Sequence, residues 1–274
     1  MKRLESKVVV VTGGGSGLGR TSALLFAAEG ARVVIADIDG ARAQAAAQAV
    51  RDQGGDATAV AVDVSKEQDV VQCVDTALSV YGRLDVYFSN AGVRGPKGVE
   101  FEDFPESAWR QVIDVNLMGT FFACKHSIKP MREAGGGSIV VSSSAAALRW
   151  YPEAAVYAAS KGGLTALVTS LAVDLGKWNI RINAICSSGG MSKNFNLPPG
   201  APLVDEDELY RNWDPSQSTA PLVRPEPPRL IDHARLALFL ASDESSYLTG
   251  LNIPSDGGAT CRGAGFPAPA AAAK

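Results

Sequence analysis

Tyr157 and Lys161 stand four residues apart in Tyr157-Ala-Ala-Ser-Lys161, and Ser144 lies thirteen residues upstream. On a helix, positions i and i+4 share a face, so the phenol and the ammonium point into one space. A lysine held beside a phenol favours the phenolate, drawing its pKa from about 10 towards the range of a general base. Taken alone, the pair reads as an ordinary exposed helix face. The start of the chain changes its meaning. Val8-Val-Val-Val-Thr12-Gly13-Gly-Gly-Ser16-Gly17-Leu18-Gly19 is a strand running through a glycine-rich turn into a helix.

In such a turn Gly13 permits the tight reversal, Gly17 lets backbone approach a pyrophosphate, and Gly19 lets helix pack on strand. The diphosphate then meets the helix N-terminus, where unpaired N–H groups and the dipole favour negative charge. Ser16 and Leu18 belong to the same candidate cofactor site. Asp37 closes the next strand, Val33-Val-Ile-Ala-Asp37, with Ile38 after it. There a carboxylate accepts hydrogen bonds from the adenosine ribose hydroxyls and repels a 2′-phosphate. No Arg or Lys between Gly13 and Gly19 offsets that repulsion, so NAD is expected over NADP. Asp37 is also a candidate helix N-cap, and Asp63, beside Val64, carries the same two readings.

Positioning these groups falls to alternating strands and helices. Lys7–Thr12, Arg32–Ala36, Ala57–Val62, Leu84–Phe88, Ser138–Ser142 and Ile180–Ile185 read as strands buried on both faces. Leu18–Ala28, Ala41–Gln53, Glu67–Tyr81, Ser107–Arg132 and Ala154–Trp178 read as helices. A helix near Asp232–Ala241 and a last strand at Leu248–Pro254 follow. The pattern predicts an α/β fold, a single-domain Rossmann-like doubly wound parallel sheet of about seven strands with helices on both faces. The domain is expected over residues 1–262, followed by a low-complexity tail at 263–274. The proline-rich stretch 187–229, carrying Phe195, Tyr210 and Trp213, is expected to cover a ligand.

Composition narrows the function classes. The 274 residues carry a net charge of −3, which points to no nucleic acid or anionic membrane partner. No stretch reads as apolar and long enough to span a bilayer, and the N-terminus lacks the apolar segment of a signal peptide. A cytoplasmic protein is expected. Cys73, Cys124, Cys186 and Cys261 have no paired spacing and read as small buried hydrophobes. His126 and His233 are isolated, so no metal is expected.

Together these motifs resemble the short-chain dehydrogenase/reductase family over nearly the whole chain, to about Thr260. Thr12–Gly19 resembles the family's cofactor motif and Asp63-Val64 its adenine-contacting pair. Asn90-Ala91-Gly92 is similar to its motif after the fourth strand, and Asn116 to its helix asparagine. Ser144, Tyr157 and Lys161 match the catalytic serine and the signature pair, and Asp256-Gly-Gly258 the C-terminal motif. Spacing from Tyr157 favours Ser144 over Ser142 and Ser143. The chain departs at Ser187-Ser188, where the family has Pro-Gly; Ser192 falls where a threonine often contacts the carboxamide.

The resemblance implies oxidation of a secondary alcohol, or the reverse. Tyr157 would act as base, with Lys161 lowering its pKa and holding the nicotinamide ribose. Ser144 would bond the substrate oxygen, and Asn116 would support Lys161 through water. Candidate pocket residues are Arg94, Trp150, Tyr151, Met191, Phe195 and Trp213, with Val93 beside them; Arg94 reads as an exposed loop arginine. Their apolar bulk suggests a hydrophobic cyclic alcohol or ketone, a terpenoid first and a hydroxysteroid next. A 3-oxoacyl-carrier-protein reductase and a non-catalytic NAD-binding regulator are the rivals. A homotetramer is implied by resemblance.

Overall fold

The structure, a computed structural model, describes residues 2–149, 151, 153–188, 192–205, 208–211, 214, 220–222 and 224–261. Trp150, Met191, Trp213 and the tail 263–274 lie outside the described residues. The valine-rich runs form seven strands: β1 (Val8–Thr12), β2 (Arg32–Asp37), β3 (Asp56–Ala61), β4 (Val86–Ser89), β5 (Gly137–Ser142), β6 (Ile180–Ser187) and β7 (Asn252–Ser255). All pair in parallel, in the order β3-β2-β1-β4-β5-β6-β7.

Side chains alternate across each strand, so one strand feeds two cores. Val9, Val11, Val33 and Ile35 pack with α1 (Gly17–Ala28), α2 (Gly40–Asp52) and α8 (Leu230–Ala241). Val8, Val10, Val34 and Ala36 face the other side, with α3 (Glu67–Tyr81), α5 (Gly119–Glu133) and α6 (Ala155–Leu175). Each face is covered by helices, as continuous apolar strands require. The strand order reverses between β1 and β4, which opens a crevice at their C-terminal ends, the place where such sheets bind ligands.

Several expectations need correction. β3 is an edge strand with Asp56 and Ala61 exposed, so it is not buried on both faces; among the described residues its one ladder partner is β2. The helix expected over Ser107–Arg132 is three pieces: α4 (Glu106–Ile113), a π-helical turn at Asp114–Met118, and α5. α6 with its 3-10 extension, Ala155–Trp178, is long and apolar enough to cross a membrane by length and composition, contrary to the sequence reading. It packs instead as a core helix, with Leu164, Val168, Ala172 and Leu175 buried against the sheet. Cys261 is exposed in the 3-10 turn Ala259–Cys261, while Cys73, Cys124 and Cys186 are buried.

Strand β6 runs two residues further than the pattern predicted. Ser187 pairs with Ser255 of β7, and the Ser188 amide donates to the Ser255 carbonyl at 3.2 Å. The departure at Ser187-Ser188 therefore extends the sheet. Beyond it, the described part of the insertion comprises a 3-10 turn at Lys193–Asn196, the segment to Asp205, and a short helix α7 (Glu208–Arg211).

Candidate active site

The glycine turn leaves β1 and is stitched to β4 by one side chain. Asn90 Nδ2 donates to the Thr12 carbonyl at 3.0 Å, and the Asn90 amide donates to Thr12 Oγ1 at 3.0 Å. The two arms of the crevice are thus held in register. A Cβ at Gly19 would stand 2.0 Å from the Gly13 carbonyl oxygen, so only glycine lets α1 start this close to the strand. Ser16 precedes α1 without a side-chain capping bond, leaving the first-turn amides of the helix to face the crevice.

A cavity of about 450 Å³ fills that crevice. It is lined by Gly13, Ser16, Gly17, Leu18, Asp37, Ile38, Asp63, Val64, Asn90, Ala91, Gly92 and Ser192. These are all the residues assigned to the cofactor from sequence save Tyr157 and Lys161. The structure adds Arg42, Val62, Gln111 and the insertion residues Leu197, Pro198 and Pro199. Uncapped helix amides, a glycine cradle and a carboxylate at the end of β2 fit a dinucleotide: the turn for its diphosphate, Asp37 for its ribose.

Asp37 is not a helix cap. Its carboxylate accepts from the Gly15 amide at 2.9 Å and the Asp39 amide at 3.0 Å, and the capping role passes to Asp39, which accepts from the Arg42 amide. Asp63 does not cap a helix either. Burial would raise its carboxyl, but hydrogen bonds from the Ser65 hydroxyl and amide, with Lys66 nearby, hold it below the usual carboxylate value.

Asp39 and Arg42 are contacts that no motif announced. Arg42 donates to the carbonyls of Pro198 at 2.9 Å and Ala201 at 2.7 Å, while its Nε sits 3.1 Å from Asp39. Asp39 also accepts from the Gly200 amide at 2.8 Å; that bond, then Arg42, keeps its carboxyl low. The insertion is latched to the first turn of α2. At its near end Ser192 closes on the turn, since a Cβ on Gly17 would meet Ser192 Cβ at 3.0 Å. The described part of the insertion lines this cavity through Ser192, Phe195, Leu197, Pro198 and Pro199.

The chemistry-bearing side chains stand beside this cavity: a Cβ on its lining residue Gly92 would lie 3.4 Å from Lys161 Nζ, and Phe195, which also lines it, packs on Tyr157. Ser144 follows β5, where its Oγ accepts from the Ala146 amide and stands close enough to the Tyr157 phenol to favour its ionisation. Ser142 and Ser143 serve backbone roles: the Ser142 carbonyl accepts from Lys161 Nζ at 2.7 Å, and Ser143 Oγ donates to the Lys161 carbonyl. Lys161 Nζ lies 5.7 Å from the centre of the Tyr157 ring.

Asn116 lies on the π-turn, fully buried. An inserted residue rotates the helix face, and here it turns one amide inward. Asn116 Oδ1 accepts from the Val93 amide at 2.8 Å, and its Nδ2 donates to the Val93 carbonyl at 2.9 Å and to Ser160 Oγ at 3.0 Å. Ser160 in turn donates to the Tyr157 carbonyl at 2.7 Å. Asn116 therefore ties the loop after β4 to the helix that carries Tyr157.

Burial dominates the titration of this group. The Tyr157 phenol is pushed up to about 12 by desolvation, against the Ser144 hydrogen bond that favours ionisation. Desolvation also takes Lys161 down from 10.5 to about 8. The phenol is thus displaced upward rather than drawn towards neutrality as the sequence led us to expect, because burial outweighs the neighbours that favour its ionisation. One consequence concerns stability. Between pH 8 and 10.5 the unfolded chain binds the Lys161 proton more than the folded chain does, so folding stability from this group rises with pH. Lys161→Met should raise stability at pH 7 by an order of 1–3 kcal/mol, a few degrees in Tm. Thermal melts should show that advantage shrinking as pH climbs past 8, and a destabilised variant at pH 7 would contradict it.

Of the expected pocket residues, Tyr151, Phe195 and Arg94 gather here. Phe195 meets Tyr157 edge-on, with ring centres 6.2 Å apart. Arg94 is not an exposed loop arginine: it is half-buried, its Nε is shut off from solvent, and its guanidinium lies 5.4 Å from the Tyr151 ring centre.

Comparison with known proteins agrees with this arrangement. Residues 13–260 match a family model described as enoyl-(acyl carrier protein) reductase. Tropinone reductase-like 1 from Erythroxylum coca is 39% identical over 94% of this chain and 91% of its own. Borneol dehydrogenase, mitochondrial, from Lavandula x intermedia is 35% identical over 94% of this chain and 92% of its own. A solved structure of 7α-hydroxysteroid dehydrogenase, complexed with NADH and 7-oxo glycochenodeoxycholic acid, superposes with a TM-score of 0.79. It is 32% identical in sequence, and the match covers 93% of this chain and 95% of that one.

Proposed function

The chain belongs to the short-chain dehydrogenase/reductase family, an oxidoreductase family that uses a nicotinamide cofactor on small alcohols and ketones, and we propose that it interconverts a hydrophobic cyclic secondary alcohol and its ketone with NAD. The observation that carries this reading is that Tyr157 and Lys161 stand beside the cavity that Asp37 lines, Tyr157 packed on its lining residue Phe195 and Lys161 Nζ 3.4 Å from where a Cβ on its lining residue Gly92 would lie. Nicotinamide supplies the hydride acceptor when bound.

The chain's own residues do the rest. Tyr157 takes the hydroxyl proton as the carbinol carbon is oxidised, and returns it in the reverse direction. Ser144, beside the phenol, holds the substrate oxygen as its charge changes. Asn116 fixes Val93 and, through Ser160, the backbone of Tyr157, so that base and chamber wall keep their spacing. Asp37 accepts the adenosine ribose hydroxyls and repels a 2′-phosphate. Phe195 and Tyr151 give the chamber an aromatic wall, which suits an alicyclic or terpenoid alcohol. The relatives named for borneol and for a hydroxysteroid support the ring-alcohol class.

A homotetramer in the cytoplasm is part of the proposal. Phe121 on α5 and Val173 on α6 are exposed apolar groups on the two helices that would pair. Measuring NADH formation across terpenoid, aryl and steroid alcohols tests the function. Turnover with ring alcohols is expected, favoured with NAD over NADP; tight NAD binding without turnover of any alcohol would replace the enzyme by a regulator.

A further inference from the structure

The insertion walls one side of the nucleotide cavity through Ser192, Phe195, Leu197, Pro198 and Pro199, facing Gly13, Gly17, Asp37 and Ile38 of the crevice. Named side chains hold that wall in place. Ser192 meets the glycine turn, where a Cβ on Gly17 would stand 3.0 Å from Ser192 Cβ. Phe195 rests edge-on against Tyr157. Further along, Arg42 Nη2 donates to the carbonyls of Pro198 at 2.9 Å and Ala201 at 2.7 Å, and the Gly200 amide donates to the Asp39 carboxylate at 2.8 Å. Arg42 and Asp39 pair with each other at 3.1 Å, and their side chains are only 12% and 9% exposed. Water competes little for bonds so shielded, which sets this pair apart from a surface ion pair.

The segment is also tied to itself. Buried Asn194 accepts from the Val204 amide at 2.8 Å and donates to the Val204 carbonyl at 3.2 Å, and the Ser192 hydroxyl accepts from the Asn194 amide at 2.9 Å. These bonds join 192–205 into one strap, so Leu197, Pro198 and Pro199 are carried with it. We propose that Arg42 and Asp39 are positioning residues that latch this strap over the bound dinucleotide, and that opening of the latch governs both entry and release; this rests on the reading of the cavity as a dinucleotide site. A latch differs from a contact in its kinetics. A side chain that only touches the dinucleotide slows release alone, so its loss raises the off-rate and weakens binding in proportion. A latch that must open before anything passes slows entry and release together. Its loss raises both rates and moves the equilibrium less than either.

The test is stopped-flow binding of NADH to the full chain, in wild type, Arg42→Met, Arg42→Lys and Asn194→Ala, with release followed on displacement by excess NAD. In Arg42→Met the association and release rates should both rise by about tenfold or more, with Kd changed less than either rate. Arg42→Lys keeps a cation for Asp39 but loses the planar fork that serves two carbonyls, and should fall between. Asn194 is not among the described residues that line the cavity, so Asn194→Ala loosens the strap without removing a contact to the dinucleotide. It should move both rates in the same direction as Arg42→Met. Tm measured on each protein identifies a variant that has failed to fold, and the remaining variants then decide. An off-rate that rises alone in Arg42→Met, with Kd rising in proportion, makes Arg42 a contact and overturns the latch. Rates that coincide with wild type in the folded variants overturn it as well, and leave the dinucleotide site standing. Wild type that binds no NADH overturns the reading of the cavity and the latch with it.

Discussion

Tyr157→Phe should cost at least about 10³-fold in kcat while NADH affinity stays within about twofold of wild type. The substitution removes one oxygen and leaves the ring, so the edge-on contact with Phe195 and the burial of the side chain survive. What is lost is the hydroxyl beside Ser144 that exchanges a proton with the substrate oxygen. Because burial holds the phenol high, the wild-type oxidation rate should rise with pH above neutrality, following the phenolate fraction. Reduction of the ketone needs the protonated phenol and should show the opposite trend. Steady-state assays in both directions, with NADH binding followed by fluorescence, check the whole set. A variant with near-wild-type kcat would remove Tyr157 from the chemistry.

Asp37→Ser should change cofactor choice by about 10²-fold in the ratio of kcat/KM for NAD to that for NADP. Two effects add. The carboxylate no longer accepts the ribose hydroxyls, a charge-assisted bond worth about 1.5–3 kcal/mol. It also no longer repels a 2′-phosphate. The residual preference depends on Arg42, which lines the same cavity but is bound to Asp39 and to the carbonyls of Pro198 and Ala201. With its cation engaged in this way, Arg42 offers little to a phosphate, so the variant should be poor with both cofactors rather than fully reversed. Asp37→Asn removes the charge but keeps an acceptor for only one of the Gly15 and Asp39 amides, which bond different carboxylate oxygens, so Tm measured beside the cofactor ratio separates loss of charge from loss of local structure. An unchanged NAD to NADP ratio in both variants would place the ribose elsewhere.

The parallel sheet, the glycine turn and the Tyr157–Lys161 pair were legible in the sequence because each is local. Strand runs of Val and Ile, turn glycines and an i, i+4 spacing are set by a few neighbouring residues. What escaped depends on contacts between distant parts of the chain or on a slip of one residue. The break in the helix over 107–132 leaves no proline or glycine at Asn116 to announce it, yet the π-turn decides which way that amide points. Arg42 meets Pro198 across 156 residues of sequence, and nothing local marks either partner. The direction of the Tyr157 pKa was misjudged for a related reason. Residue types gave the neighbouring cation, but only the fold gives the burial that raises the phenol.

The most direct measurement of the central claim uses a ring alcohol deuterated at its carbinol carbon. Incubated with the protein and NAD, it should yield the ketone and NADH bearing one deuterium by mass spectrometry, with turnover slowed relative to the undeuterated alcohol wherever hydride transfer limits the rate. Tyr157→Phe, with NAD bound as tightly as in wild type, should yield neither. Labelled NADH formed at an equal rate by Tyr157→Phe, or no label transferred by wild type from any secondary alcohol, would contradict the account.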